Sequence, residues 1–424
     1  MTLTPGDPFD GYFRAAQPPT PRPGALLDHE RARQWLDLVG WGSRAGLYTY
    51  QAPLDGRCGP HVTVCGQPML MLSAYDYLGL IGHPAIERAA MDAVRTHGTG
   101  TGGVRLLTGT TVLHGELERA LAAWKGTEAA IAFTSGYMAN LGVIAALLDP
   151  RDLVLLDALV HRSVIDACHL ARVPFRTFRH NDPGSLEDEL RKEPRGRRTL
   201  IVIEGIYSMD GDVSPLAAVV EVKRRYGAYL MVDEAHSFGV LGQTGRGVDE
   251  HCGVAAGDVD IWMGSLSKAI PSNGGFLAGS RELIIYLQHG AAPFMFSAAL
   301  CPAAAAAARE ALRVLAAEPE RLTWLHRNAD RLRDGLRDLG YDTGASQTPI
   351  IPVVLGANEA AFGLARSLFG LGILAAAVIP PAVPRGAARL RLCATAAHSP
   401  ADIDAALEAF ARLRPRRAAV AATA

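Results

Sequence analysis

A chain of 424 residues is long enough for two to three structural units and an ample core. Its 42 basic and 43 acidic side chains leave a net charge of −1, so neither nucleic acid nor an anionic membrane is the expected partner. No apolar run reaches membrane-spanning length, and Met1 to Arg14 lacks a basic region followed by an apolar core, which predicts a soluble cytoplasmic protein. The six cysteines (58, 65, 168, 252, 301 and 393) are scattered without a CxxC, predicting free thiols, with no zinc site and no disulfide framework.

Residues 1–25 are rich in Pro and Gly without a period, and read as an N-terminal arm. Asp28 to Val39 is helix-like, so 1–58 form an arm and helix. His61-Val62-Thr63-Val64 and Met69-Leu70-Met71-Leu72 flank Gly66-Gln67-Pro68, the pattern of a hairpin. Pro84 opens a helix to about His97. Gly98-Thr99-Gly100-Thr101-Gly102-Gly103 matches GxGxxG. A dinucleotide fingerprint needs a strand before it and a helix after it. Here a helix precedes it, so it reads as a flexible glycine loop bordering a ligand. His114 to Lys125 forms a helix with Leu117, Leu121 and Trp124 on one face.

From residue 128, strands 129–133, 153–156, 173–178, 199–204, 228–232 and 260–263 alternate with helices 138–148, 162–171, 184–192 and 215–226. The class is therefore α/β, with a mostly parallel sheet covered on both faces. A long helical region spans 301–339. A smaller α/β unit follows over 350–413, with strands 350–355, 372–379 and 389–395 and helices 357–368 and 400–413. The expected domains are 59–300 (including a small hairpin segment, 59–83), connecting helices 301–349, a small domain 350–413 and a tail 414–424.

Ligands of such sheets bind beyond the carboxyl ends of the strands. After 129–133 come Ser135, Gly136 and Tyr137 at a helix start, either a plain capping turn or an anion site. After 153–156 comes His161, a packed residue or an aromatic ring for a flat ligand. After 199–204 comes a polar turn with Ser208. After 228–232 come Asp233 and His236. A buried carboxylate needs a positive partner or several donors, and a protonated pyridine nitrogen is such a partner. As a metal site Asp233-Glu234-Ala235-His236 lacks further spaced ligands, and as a helicase it lacks a phosphate loop. After 260–263 comes Lys268, within Gly264-Ser265-Leu266-Ser267-Lys268 and between two apolar strands. Alone it would be an ordinary surface lysine. With the other strand ends it completes the set that pyridoxal phosphate needs: a lysine for the Schiff base, a carboxylate for the ring nitrogen, and donors for the phosphate.

These residues, together with Tyr77-Leu78-Gly79-Leu80, Ser208-Met209-Asp210-Gly211-Asp212, Gly245-Arg246-Gly247 and Arg389-Leu390-Arg391, resemble the α-oxoamine synthase family of fold-type I pyridoxal-phosphate enzymes. The resemblance covers roughly 45–413. It implies a fold-type I transferase that condenses a small amino acid (Ser, Ala or Gly) with an acyl thioester of coenzyme A or a carrier protein, losing carbon dioxide to give an α-aminoketone. It implies a homodimer with shared active sites. By position, it makes Lys268 the cofactor attachment, and it places Asp233 at the ring nitrogen, His236 at the phenolic oxygen, His161 on the ring face and Ser208 near the ring. Ser135, Gly136, Tyr137 and Ser265 hold the phosphate, with Ser297 reaching it from the partner subunit. Arg391 binds the substrate carboxylate, beside Tyr75. Tyr75-Asp76-Tyr77 is more like serine palmitoyltransferase than the asparagine-containing oxononanoate enzymes. Amine transfer or elimination on the same fold, and a catalytically silent partner subunit, are the alternatives.

Overall fold

The computed structural model describes residues 23–194 and 196–414. The expected arm up to residue 22, and the tail from 415, lie outside the described residues. The chain divides into two compact units: Tyr75–Arg327 with Gln347–Pro349, and the residues up to Ala74 with Asn328–Ser346 and everything from Ile350 on.

Among the described residues thirteen strands follow in chain order. They are β1 (His61–Val64), β2 (Gln67–Met71), β3 (Ala129–Phe133), β4 (Leu153–Asp157), β5 (Phe175–Phe178), β6 (Thr199–Glu204) and β7 (Tyr229–Asp233). Then come β8 (Ile261–Ser267), β9 (Pro271–Gly279), β10 (Ile350–Gly356), β11 (Ile373–Leu374), β12 (Ala376–Val378) and β13 (Ala388–Cys393).

The first unit holds one sheet in the order β3-β9-β8-β7-β6-β4-β5. From β5 through β8 neighbouring strands run parallel, while β9 is antiparallel to both β8 and β3. Every residue of β4 and of β6 is buried, which is why these strands read as unbroken apolar runs without alternation. Ile131, Val143, Ile144, Val154, Leu156 and Val202 share one core. Each such buried aliphatic side chain contributes about 1.5–3 kcal/mol.

The stretch after Met263 is a hairpin. β8 continues to Ser267 and β9 starts at Pro271, with Ser265 opposite Gly275 and Ser267 opposite Pro271. The glycines make room for this pairing: a Cβ on Gly264 would lie 2.2 Å from the Phe276 ring. The expected helical stretch 301–339 is two helices, Pro302–Ala317 and Glu320–Asp338. Pro319, which cannot donate a backbone hydrogen bond, falls in the gap.

In the second unit, β10-β13-β12 form one sheet and β1-β2-β11 another. The hairpin β1–β2, assigned to the large domain by its place in the sequence, belongs instead with the C-terminal strands. Leu70 of β2 pairs with Ile373 of β11, and Leu70 and Leu72 enter that unit's core. An edge strand's unpaired backbone seeks a partner, and here the partner is 300 residues away in the chain. The single strand expected over 372–379 is two short ones in different sheets, β11 and β12. No helix among the described residues is long and apolar enough to cross a membrane.

Candidate active site

The chain has four lysines: Lys125, Lys192, Lys223 and Lys268. Lys192 pairs with Glu189 on the surface, and Lys223 pairs with Asp260. Lys125 is fully buried between Glu234 (2.5 Å) and Asp249 (2.6 Å). Lys268 differs from all three. It lies in the tight turn between β8 and β9, half-buried, with Nζ 3.0 Å from Nε2 of His236. Nδ1 of His236 meets the buried Tyr77 hydroxyl at 2.7 Å. The Tyr75 ring stands edge-on to the same imidazole, with centroids 6.0 Å apart.

Asp233 ends β7 and is 4% exposed. Its Oδ1 accepts from the Ala235 amide at 2.9 Å, and its Oδ2 accepts from Asn140 Nδ2 at 2.9 Å. Asn140 donates its other amide hydrogen to Ser163 Oγ at 2.8 Å, and Ser163 meets His161 Nδ1 at 2.7 Å. One polar chain therefore joins the carboxylate at the end of β7 to the imidazole beyond β4. His161 is exposed at the cap of helix Arg162–Ala171 yet crowded by protein. That crowding holds its imidazole below the ordinary range, Asp233 offsets part of the effect, and Lys268 adds to it.

Beyond β3, Ser135 caps helix Gly136–Leu147 and accepts from the Met138 amide at 3.2 Å. A helix start offers free N–H groups and a positive dipole end to an anion. The β8–β9 hairpin packs tightly here. A Cβ on Gly275 would fall 2.5 Å from the Gly136 backbone, and one on Gly136 would fall 2.8 Å from the Met263 methyl and 3.8 Å from Ser265 Cβ. Glycine at both positions lets Ser265, whose Oγ lies 2.9 Å from that of Ser267, sit beside the helix start. The Tyr137 hydroxyl is turned away to Asp166, leaving its amide as the relevant group.

Ser208 is half-buried in the turn after β6. Ser297 is half-buried too, its Oγ directed to the Ala298 carbonyl at 3.4 Å. The Gly98–Gly103 loop is tied to the segment just before helix Pro302–Ala317: Ala299 donates to the Gly103 carbonyl and Val104 bridges to Ala298. Arg391 lies in the other unit, buried on β13, donating to Cys393 Sγ at 2.9 Å.

The strand ends of the first unit thus bring together Lys268, His236, Asp233, His161 and Tyr75, with Ser135, Gly136 and Ser265 in a separate cradle. Sequence reasoning gave no role to Tyr77, which it named only within a motif, nor to Asn140, Ser163 or Glu204. Asn140 carried a readable signal, being the one polar side chain that interrupts the apolar helix Gly136–Leu147. Glu204, at the end of β6, is buried and directly opposite Asp233.

A family described as aminotransferase class I and II matches residues 67–410. The 8-amino-7-oxononanoate synthase of Anaeromyxobacter dehalogenans is 44% identical over 388 residues, spanning 91% of this chain and 97% of that protein. The enzyme of the same name from Geobacter sulfurreducens is 44% identical over 371 residues, 87% of this chain and 94% of its own. A solved serine palmitoyltransferase from S. paucimobilis, with PLP and myriocin bound, gives a TM-score of 0.88 at 33% identity, over 91% of this chain and 98% of that one. The chain belongs to the aminotransferase class I and II family. Within it, the chain is an α-oxoamine synthase, a pyridoxal-phosphate-dependent acyltransferase of fold type I. The residues present fit that cofactor: a half-buried lysine, a buried carboxylate with both oxygens held, two histidines, and an anion cradle that a Cβ on Gly136 or Gly275 would fill.

Proposed function

We propose that Lys268 carries the cofactor and that the cleft around it joins a small amino acid (Ser, Ala or Gly) to an acyl thioester of coenzyme A or a carrier protein. The products are an α-aminoketone, carbon dioxide and a free thiol. The observation that carries this reading is the 3.0 Å approach of Lys268 to His236, at the strand ends that also present Asp233. Pyridoxal phosphate supplies an electron sink for a carbanion at the amino acid's α-carbon.

In this reading Asp233, fixed by Asn140 and the Ala235 amide, keeps a proton on the ring nitrogen. His236, oriented by Tyr77, donates to the ring's oxygen. His161 covers the ring face, and its lowered pKa keeps it neutral near pH 7. The Gly136 and Tyr137 amides with Ser135 and Ser265 would hold the phosphate, with Ser208 toward the ring. Lys268 Nζ takes the α-proton of the bound amino acid, while His236 or His161 polarises the thioester carbonyl. Tyr75, edge-on to His236, would stand beside the amino acid.

A second copy of the chain is part of this reading. Leu107, Val112 and Phe296 are 80%, 68% and 79% exposed, apolar side chains that a second copy would cover. The partner's Ser297 would then reach the phosphate. Light scattering that gives twice the mass of one chain supports this; a monomer at micromolar concentration contradicts it.

The deciding experiment incubates the enzyme with glycine, alanine or serine and a series of acyl thioesters, with product mass spectrometry. Serine tests the reaction named for the structural relative. Carbon dioxide with a ketone product supports the reading. An amine product that needs a keto acid and no thioester overturns it.

A further inference from the structure

Three carboxylates stand at the ends of three adjacent parallel strands: Asp157 on β4, Glu204 on β6 and Asp233 on β7. The outer two are well provided for. Asp157 accepts from the Leu159 amide (2.9 Å), the Asn181 amide (2.8 Å) and His180 (2.8 Å). Asp233 has Asn140 and the Ala235 amide, with Lys268 close enough to share its field with His161. Glu204, in the middle, is 3% exposed. It accepts from the His161 amide, and its Oε1 has no hydrogen-bond partner. Among the described residues it forms no salt bridge, and Lys268 is the cation that acts on it. A buried carboxylate between two others, without its own counter-charge, takes up a proton rather than ionise.

We propose that Glu204 is held as a neutral carboxylic acid, a positioning residue that anchors the His161 backbone without adding negative charge beside Asp233. The groups facing it are Asp157, Asp233, Lys268, the His161 amide and Tyr207. Burial is the largest influence and Asp233 the next, both favouring the proton; Lys268 and the His161 amide oppose them. The consequence for the site is specific. No second negative charge then stands beside Asp233, while Glu204 fixes the cap of the helix that carries His161.

The inference rests on the proposed cofactor site only in its second arm. The first arm uses the protein without cofactor, so the two can fail separately. In the first, infrared spectra of wild type and Glu204→Gln are subtracted at pH 7. The expected result is a carboxylic-acid C=O band that shifts on deuteration and is missing from the variant. The subtraction removes the bands of other buried acids such as Glu234 and Asp76, whose pKa values are also raised. Should that variant not fold, the same subtraction against Glu204→Leu decides. A wild-type spectrum in which every carboxyl group is ionised at pH 7 overturns the proposal.

In the second arm the absorbance titration of the Lys268 Schiff base is compared. Removing a neutral acid leaves its midpoint in place; removing an anion would lower it by withdrawing support for the protonated form. A lowered midpoint in Glu204→Gln overturns the proposal. Glu204→Leu, which strips the acceptor from the His161 amide, weakens pyridoxal phosphate binding about tenfold, and Gln, which can still accept, restores it. Equal binding by Leu and Gln overturns the anchoring role.

Discussion

Lys125 and Lys268 are both removed from bulk water, and the difference between them separates fold from chemistry. Lys125 is walled in by two carboxylates, the Arg246 carbonyl at 3.3 Å and the Trp262 ring at 3.7 Å. Glu234, which it holds, is the residue between Asp233 and the loop of His236. Glu234 also accepts the Val248 amide at 2.6 Å. Gly247 must be glycine there, because at φ 134° a Cβ would strike the Glu234 carboxylate. Burial pushes the Glu234 carboxyl up and Lys125 offsets it. That cluster is saturated and therefore inert: it clamps the segment. Lys268 instead sits at a turn, half-buried, facing an imidazole across 3.0 Å. Desolvation makes a lysine reactive only when its nitrogen can still be reached.

The largest expected effect tests the reactive member. Lys268→Ala lowers turnover by at least about 10³-fold, since it removes both the cofactor link and the proton acceptor. Its thermal unfolding stays close to wild type. Steady-state assays beside calorimetry check both halves, and a variant that keeps its activity breaks the comparison. Lys125→Met is the mirror image. It strands Glu234 without its counter-charge, leaves Asp249 with Arg246 alone, and costs about 3–5 kcal/mol of stability, read from denaturant midpoints. Unchanged stability would show that the buried cluster is not a clamp.

Asn140→Ala sharpens the boundary between the two regions. It takes a donor from Asp233 and is expected to weaken cofactor binding about tenfold, measured by absorbance titration, with little loss of stability. The smallest effect concerns a second ion cluster. His180 bridges Asp157 and Asp212 at 2.8 and 2.7 Å. Burial opposes its charge, but the two carboxylates outweigh that and raise it from 6.5 to about 10. A group raised in the folded state stabilises fully below its unfolded pKa and stops doing so as pH climbs through the folded one. Wild type should therefore lose stability between about pH 6.5 and 10, and His180→Gln should flatten that loss. Parallel pH curves for the two proteins would contradict the assignment.

Much of this was legible in the chain itself. Fully buried strands such as β4 and β6 announce themselves as apolar runs, and the residue that follows each run marks a strand end. That rule singled out Asp233, His236, His161 and Lys268 as candidates without coordinates. What it missed follows from physics that sequence does not carry. Pairing of β2 with β11 is non-local, so no spacing shows it. Ser265 and Gly275 looked like loop because small residues give no apolar signal, although they pair as strand. Lys125 closes an apolar helix like any surface lysine, and only its distant partners Glu234 and Asp249 explain it. Glu204 read as the tail of a strand, because the acids on its two sides come from separate runs of chain.

The most direct test of the central assignment is borohydride reduction of the cofactor-loaded enzyme, followed by peptide mapping. With four lysines in the chain the outcome is discrete. The account predicts a pyridoxyl adduct on Lys268 alone. An adduct on Lys125, Lys192 or Lys223, or none at all, would contradict it.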